Sequence, residues 1–147
     1  MTTVIIDYNS GNLRSAEKSF QLMSEELKLG QVKVSNKPED VVNADRIVLP
    51  GVGAFADCKH ELNSIMGLFE AIDAHIKTGK PFMGICVGMQ MMATCGHEHG
   101  YHEGFNWIQG DVKIMEPNDK NLKIPHMGWN NLNIINSHPV FNNINEN

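Results

Sequence analysis

A short apolar run, residues 81–85, leads directly into Cys86, and a glycine lies two positions to either side of that cysteine. The run suits a buried strand, and residues 87–94 favour a helix because Met and Ala have high helix propensity. Small neighbours relieve the crowding where a strand turns sharply into a helix. The pattern therefore predicts a nucleophile elbow with Cys86 at the helix N-terminus, where the dipole favours the thiolate. A buried structural cysteine is the alternative that this pattern leaves open.

Short strands alternate with helices ahead of the elbow. Strands are predicted at residues 4–6, 31–35 and 47–49, and helices at 38–42, 57–66, 68–77 and along the stripe Leu13, Ala16, Phe20, Met23 and Leu27. Strand–helix alternation predicts an α/β fold with a parallel sheet and helices on both faces. Binding and catalytic residues usually lie at the carboxyl ends of such strands. We therefore expect residues 7–12, residues 50–53 and the elbow to lie together.

The sequence Pro-Gly-Val-Gly at residues 50–53 follows the strand at 47–49 directly. Two glycines allow the backbone to approach a ligand closely and to point N–H groups at an anion. An ordinary loop between a strand and a helix is the alternative interpretation. Residues 50–53 are called the 50–53 loop below.

The second half of the chain differs in character. Residues 95–104 are rich in histidine but have no helix and no defined ligand motif to fix their spacing, so we expect a solvated loop and no metal site. Short strands are predicted further on, at residues 111–115, 122–124 and 132–135.

The composition excludes several functional classes. A chain of 147 residues is long enough for one domain with a real core, and a net charge of −5 without a block of like charge argues against a nucleic-acid surface. The N-terminal residues do not resemble a signal peptide, and no apolar run is long enough to span a bilayer. The cysteines Cys58, Cys86 and Cys95 are odd in number, which fits free thiols in a reducing cytoplasm.

Four segments together resemble the class I glutamine amidotransferases. They are DYNSGNLRS at 7–15, LPGVGAF at 49–55, KPFMGICVGMQMM at 80–92 and IPHMGWN at 124–130. The elbow segment at 80–92 is shared across that family. The combination of the other three segments is narrower and is typical of the family's glutaminase subunits of histidine biosynthesis. The resemblance covers essentially the whole chain and implies a flavodoxin-like, mostly parallel sheet with helices on both faces.

The resemblance implies a chemistry for the elbow. Cys86 would be the nucleophile that attacks the side-chain amide of L-glutamine, releasing ammonia and leaving a thioester for hydrolysis. The oxyanion would be held by the Val87 amide and by an amide from Gly51, Val52 or Gly53. Gln90 would help to hold the substrate, although a solvent-facing helix residue remains the alternative there. No cofactor and no metal are implied.

The resemblance also implies a partner, a cyclase subunit that is a (β/α)₈ barrel and receives the ammonia directly. Asn12, Arg14, Pro125, His126 and Trp129 match positions at or near that interface. The local alternatives are a helix N-cap region for Asn12 and Arg14, and a core tryptophan for Trp129.

One departure from the family is large. Its members carry a catalytic histidine and glutamate in a His-Pro-Glu type motif near the C-terminus, whereas this chain has only His138-Pro139-Val140. We therefore expect residues 1–147 to be a single, C-terminally truncated domain without a positioned base, which hydrolyses glutamine negligibly on its own. We also expect it to be marginally stable, with apolar side chains exposed along one edge. The alternatives are a non-catalytic fragment that at most binds the cyclase, and an amidotransferase subunit for another ammonia acceptor.

Overall fold

The computed structural model describes residues 1–142 and residue 144. The chain falls into two compact units, Met1–Ile114 and a second that begins at Met115. The expected single domain over residues 1–147 stays a prediction, and each unit is described by itself.

A four-stranded parallel sheet forms the centre of the first unit, with the strand order β2-β1-β3-β4. The strands are β1 (Thr2–Ile6), β2 (Gln31–Ser35), β3 (Arg46–Leu49) and β4 (Phe82–Gly84). Strands β1 and β3 are rich in Val and Ile, and their central residues are almost completely buried. The predicted α/β fold with a mostly parallel sheet is confirmed.

Four helices connect the strands: α1 (Leu13–Glu26), α2 (Pro38–Val42), α3 (Phe55–Ser64) and α4 (Leu68–Lys77). Side chains on one face of the sheet join α2, α3 and α4 in the main core; from the sheet these are Val4, Ile6, Ile47 and Leu49. Ile5 and Val48 alternate with them and are buried as well. Because successive strand residues point to opposite faces, both faces of the sheet are covered.

The apolar stripe of α1 is only partly buried, which differs from the prediction. Leu13, Ala16 and Phe20 are half-buried, whereas Met23 and Leu27 are 44% and 62% exposed. The spacing of these residues gives the helix its apolar face, but burial depends on what packs against that face. The part of the chain that the structure describes does not cover the C-terminal half of the stripe.

The chain beyond the elbow corrects the predicted helix at 87–94. Helix α5 (Val87–Gln90) is a single turn, and the chain then forms β5 (Ala93–Gly96) in a second sheet of order β6-β5-β7. The other two strands are β6 (His102–Glu103) and β7 (Ile108–Val112). Pairing of Ala93 with Ile108 therefore overrides local helix propensity. Residues 95–104 are consequently not one loop, and the strand predicted at 111–115 lies three residues earlier.

The second unit is described only in part and contains a short 3₁₀ helix, Pro139–Phe141. Within its described residues no strand forms, so the strands predicted at 122–124 and 132–135 are wrong. Most of its large apolar side chains are exposed, among them Met127, Trp129 and Ile135, whereas Ile134 is half-buried. Across residues 1–142 and 144, no helix combines the length and the apolarity needed to cross a bilayer.

His75 in α4 is buried at the amino end of β4, and its position predicts a pH dependence. Its Nε2 lies 3.2 Å from the Pro81 carbonyl oxygen, and its Nδ1 has no hydrogen-bond partner among the described residues. Burial, which outweighs the Pro81 contact, lowers the pKa of His75. The unfolded chain, with an ordinary histidine pKa of about 6.5, then binds more protons, so stability should fall as the pH drops below that value. We expect the free energy of unfolding, measured with urea, to fall less between neutral and acid pH in His75→Gln than in the parent chain. An equal fall in both chains would contradict this.

Candidate active site

Cys86 lies where β4 ends and α5 begins, as the sequence predicts. Its backbone angles are φ 55° and ψ −119°, a conformation that side chains larger than glycine rarely adopt. Such strain persists only where the surrounding structure enforces it, and it clusters at functional sites. Cys86 is exposed, whereas Cys58 and Cys95 are buried. The geometry is that of a nucleophile elbow and excludes the alternative of a buried structural cysteine.

The glycines beside the elbow are required by close contacts. A Cβ atom at Gly84 would lie 2.6 Å from the Met89 Cα atom. A Cβ atom at Gly88 would collide with the carbonyl oxygen of Leu49, at the end of β3. Both contacts are with backbone, which cannot move aside as a flexible side chain could. The Gly-x-Cys-x-Gly pattern is therefore a packing requirement of this turn.

The 50–53 loop packs directly against the elbow, which confirms the predicted proximity. The Ile85 N–H donates to the Leu49 carbonyl at 2.9 Å, so the two chain segments remain paired up to the turn. At Gly51, a Cβ atom would lie 2.5 Å from the Gly88 nitrogen. The backbone of this loop and the start of α5 therefore enclose the same small region beside Cys86.

Residues of the 7–12 loop hold the 50–53 loop in place. The buried Tyr8 hydroxyl donates to the Pro50 carbonyl at 2.5 Å. Burial, with a smaller contribution from the nearby Cys58 thiol, raises the pKa of Tyr8 and keeps the hydroxyl a neutral donor. Ser10 Oγ accepts from the Val52 N–H at 3.0 Å and donates to the Val52 carbonyl at 2.9 Å.

The thiol of Cys58 on α3 also donates to the Val52 carbonyl, at 3.2 Å. The peptide of Val52 is thus held from two sides. No local pattern in the sequence assigns Tyr8, Ser10 or Cys58 to this site. For Tyr8 and Ser10 the only signal was that residues 7–12 follow β1, a strand next to β3, whereas Cys58 on α3 had none. Hydrogen bonds between distant residues leave no local pattern.

The backbone donors near Cys86 differ in availability. The Val52 N–H is engaged by Ser10. Within Met1–Ile114, neither the N–H of Val87, the first residue of α5, nor that of Gly53 donates a hydrogen bond. Unpaired N–H groups beside a nucleophile are the donors that an oxyanion requires.

A positioned base is not observed next to the thiol. The imidazoles of His75 and His97 hydrogen-bond to Pro81 and Cys95, and no histidine of Met1–Ile114 hydrogen-bonds to Cys86 Sγ. The remaining two, His126 and His138, belong to the second unit. The first unit therefore places an exposed thiol beside unpaired backbone N–H groups, without a histidine hydrogen-bonded to that thiol.

The other predicted site residues are placed as follows. Gln90 is half-buried on α5, and its N–H donates to the Cys86 carbonyl, which puts it one turn beyond Cys86. Asn12 is the N-cap of α1, where its Oδ1 accepts from the Ser15 N–H at 3.3 Å, and Arg14 is exposed in the same turn.

Pro125, His126 and Trp129 lie in the second unit and are all exposed. The side chain of Trp129 is completely exposed, which excludes the alternative of a core tryptophan in this structure.

Comparisons with known proteins agree with this geometry. The family model for class-I glutamine amidotransferases matches residues 4–147. The "imidazole glycerol phosphate synthase subunit HisH" of Cereibacter sphaeroides is 56% identical over 145 residues, covering 98% of this chain and 68% of the relative. The proteins of the same name from Ruegeria pomeroyi and Bradyrhizobium diazoefficiens are 52% and 51% identical over 98% and 97% of this chain, and 68% and 67% of their own lengths.

The strained cysteine between two glycines, the adjoining 50–53 loop and the match over nearly the whole chain lead to one assignment. The chain belongs to the class-I glutamine amidotransferase family, among its HisH-type subunits.

Proposed function

We propose that this chain carries the glutaminase half-reaction of imidazole glycerol phosphate synthase in histidine biosynthesis. The half-reaction is the hydrolysis of L-glutamine to glutamate, and its ammonia goes to a cyclase subunit that makes imidazole glycerol phosphate and AICAR. Because Cys86 has no hydrogen-bonded histidine within Met1–Ile114, we expect the 147 residues alone to turn over very slowly. The observation that carries the proposal is the exposed, strained Cys86 beside the 50–53 loop. The shared name of the relatives favours this acceptor over a different one.

The reaction follows from groups at the elbow. The Cys86 thiolate adds to the side-chain carbonyl carbon of glutamine, and the carbonyl oxygen becomes an oxyanion. The nitrogen must gain a proton before ammonia can leave, and water then hydrolyses the γ-glutamyl thioester. The donors are backbone N–H groups, and the Cys86 thiol is carried on a turn packed closely against the end of β3, which favours a fixed geometry during the step.

The Val87 N–H is the principal donor to the oxyanion in this arrangement. It begins α5 directly after the nucleophile and has no recorded partner within Met1–Ile114. Of the 50–53 loop, Gly53 offers an unpaired N–H as the second donor, while the Val52 N–H is engaged by Ser10. Gln90, one turn beyond Cys86, would contact the substrate.

The partner is a cyclase subunit, which the relatives' description as synthase subunits supports. We propose that it is a (β/α)₈ barrel that contacts Arg14, Pro125, His126 and Trp129, with Asn12 holding the start of α1. The exposure of Arg14 and Trp129 leaves both free for a partner. Three free thiols fit a reducing, cytoplasmic location.

The proposal is tested by alkylation of the native chain with iodoacetamide, followed by mass spectrometry of the three cysteines. We expect Cys86 to be modified first because it alone is exposed, and L-glutamine to slow this modification in a saturable manner. The Cys86→Ala chain should lose the fast phase.

D-glutamine is the matched control for the alkylation experiment and should protect Cys86 poorly. Equal modification of Cys58 or Cys95 in the folded chain would contradict the geometry. A fast reaction at Cys86 that neither enantiomer slows would instead contradict the assignment of glutamine as substrate.

A further inference from the structure

A second group of reactive side chains lies in the small sheet, separate from the elbow. Cys95 belongs to β5 and Asp111 to β7, and the two residues are directly paired in the parallel register of these strands. His97 follows the end of β5 and joins them. One ligand atom from each residue lies within 4.8 Å of the other two.

The distances within this group fit a tetrahedral metal site. Cys95 Sγ lies 3.6 Å from His97 Nε2 and 3.2 Å from Asp111 Oδ1, and His97 Nε2 lies 3.5 Å from Asp111 Oδ2. Zinc bonds of about 2.3 Å to sulfur and about 2.0–2.2 Å to nitrogen and oxygen place tetrahedral ligand atoms about 3.3–3.6 Å apart. With Oδ1 as the Asp111 ligand, the Cys95–His97 and Cys95–Asp111 distances are close to this spacing, and His97 Nε2 must move from Oδ2 toward Oδ1 to complete it.

The donor set selects among metals. A thiolate, an imidazole and a carboxylate suit zinc, whereas calcium and magnesium prefer oxygen ligands alone. Cys95 is buried, but His97 and Asp111 side chains are 40% and 41% exposed, so an ion has a route of entry. Three protein ligands leave a fourth tetrahedral position open for water.

The charges around the group are compatible with a cation. Lys113 Nζ forms an ion pair with Asp111 Oδ2 at 3.0 Å, which leaves Oδ1 as the oxygen without a positive neighbour. The thiol of Cys95 donates to that Oδ1, so the ligand atoms are already held together without an ion. The edge-to-face contact of Tyr101 on the His97 ring limits the movement of the imidazole.

We propose that Cys95, His97 and Asp111 bind a zinc ion that links β5 to β7, with water as the fourth ligand. Binding replaces the Cys95 thiol proton with the metal and releases one proton for each ion bound. The sequence predicts no metal site in residues 95–104 because that segment has no helix and no defined ligand motif to fix the spacing of its side chains. Asp111 completes the set only through the pairing of two strands.

The experiment is a titration of the full chain with Co²⁺ in the Cys86→Ser background, so that the exposed elbow thiol does not compete. We expect one ion per chain and a thiolate-to-cobalt charge-transfer absorption with the visible bands of a tetrahedral site. Zn²⁺ should displace Co²⁺ and raise the thermal unfolding midpoint, because a ligand that binds the native state stabilises it.

Substitutions of the ligands decide the assignment. Cys95→Ser should abolish the charge-transfer absorption, and His97→Gln and Asp111→Asn should each weaken binding by at least about tenfold, the usual lower bound for disturbing such a site. His99→Gln is the matched control, because His99 lies in the same segment, and it should bind as the background chain does.

Two results would overturn the proposal: absence of saturable binding at one ion per chain, or binding that persists unchanged in Cys95→Ser and in His97→Gln. Cys95 is buried, so its variant is checked for native circular dichroism before it is used. If it fails to fold, His97→Gln and Asp111→Asn decide the question alone, since both side chains are well exposed.

Discussion

Glutamine hydrolysis by the 147-residue chain is expected to be about 10⁴–10⁶-fold slower than that of a family enzyme with a complete catalytic unit. The physical reason is that no histidine of Met1–Ile114 hydrogen-bonds to Cys86, so the departing nitrogen receives no proton from a positioned acid. Ammonia release from L-glutamine, measured with and without a cyclase subunit, checks the expectation.

Added imidazole provides a control for this prediction, because a small-molecule acid and base should partly restore turnover in the parent chain but not in Cys86→Ala. Turnover comparable to that of an intact relative would contradict the prediction. His126→Ala and His138→Ala would then show whether one of these residues acts as the base.

Replacing Gly88 by alanine is expected to destabilise the fold by about 3 kcal/mol or more. The added Cβ atom would collide with the Leu49 carbonyl oxygen and lie 3.1 Å from the Pro50 carbonyl carbon, both backbone atoms at the end of β3. Helix propensity alone predicts the opposite sign, since alanine is favoured over glycine in a helix by about 1 kcal/mol. The free energies of unfolding of the parent chain and of Gly88→Ala, measured with urea, show whether the collision or the helix propensity has the larger effect.

Gly128→Ala is the matched control for that substitution. Its added Cβ atom would meet only the flexible His126 side chain at 3.6 Å. We therefore expect the free energy of unfolding to change by no more than about 0.5 kcal/mol. A Gly88→Ala chain as stable as the parent would mean that the elbow is not packed against β3 as described.

The sequence predicts the first unit well as far as the elbow, because the elements there depend on local patterns. The strands β1 and β3 are compact runs of Val and Ile, and the break between α3 and α4 falls at Gly67, which has φ 77°. The elbow is predictable for the same reason, because the steric requirement that Gly84 and Gly88 meet arises within a few residues of Cys86.

The elements that depend on distant residues are predicted poorly. Residues 87–94 have good helix propensity, yet the chain leaves the helix at Gln90 because Ala93 and Cys95 pair with β7. The apolar stripe of α1 is correctly placed, but no local pattern reveals that Leu27 stays exposed. The hydrogen bonds from Ser10 and Cys58 to Val52 likewise become visible only in three dimensions.

The expected marginal stability stays a prediction. The exposed apolar side chains are not confined to one sheet edge. They include Met83 on the edge strand β4, Leu22, Met23 and Leu27 on or just beyond α1, and Met127 in the second unit. Each large apolar side chain left in water forfeits about 1.5–3 kcal/mol of possible stabilisation. Thermal unfolding with light scattering checks this; cooperative unfolding of a monodisperse monomer at an ordinary midpoint would contradict it.

The central claim is that Cys86, at its strained turn, is the nucleophile toward the γ-carbonyl of glutamine. A γ-aryl ester of L-glutamate tests it most directly, because a phenolate leaves without the proton that an amide nitrogen needs. The account predicts a burst of about one phenolate per chain, an acyl group on Cys86 by mass spectrometry, no burst in Cys86→Ala and an unchanged burst in Cys95→Ser. Absence of the burst in the folded parent chain, or its persistence in Cys86→Ala, would contradict the account.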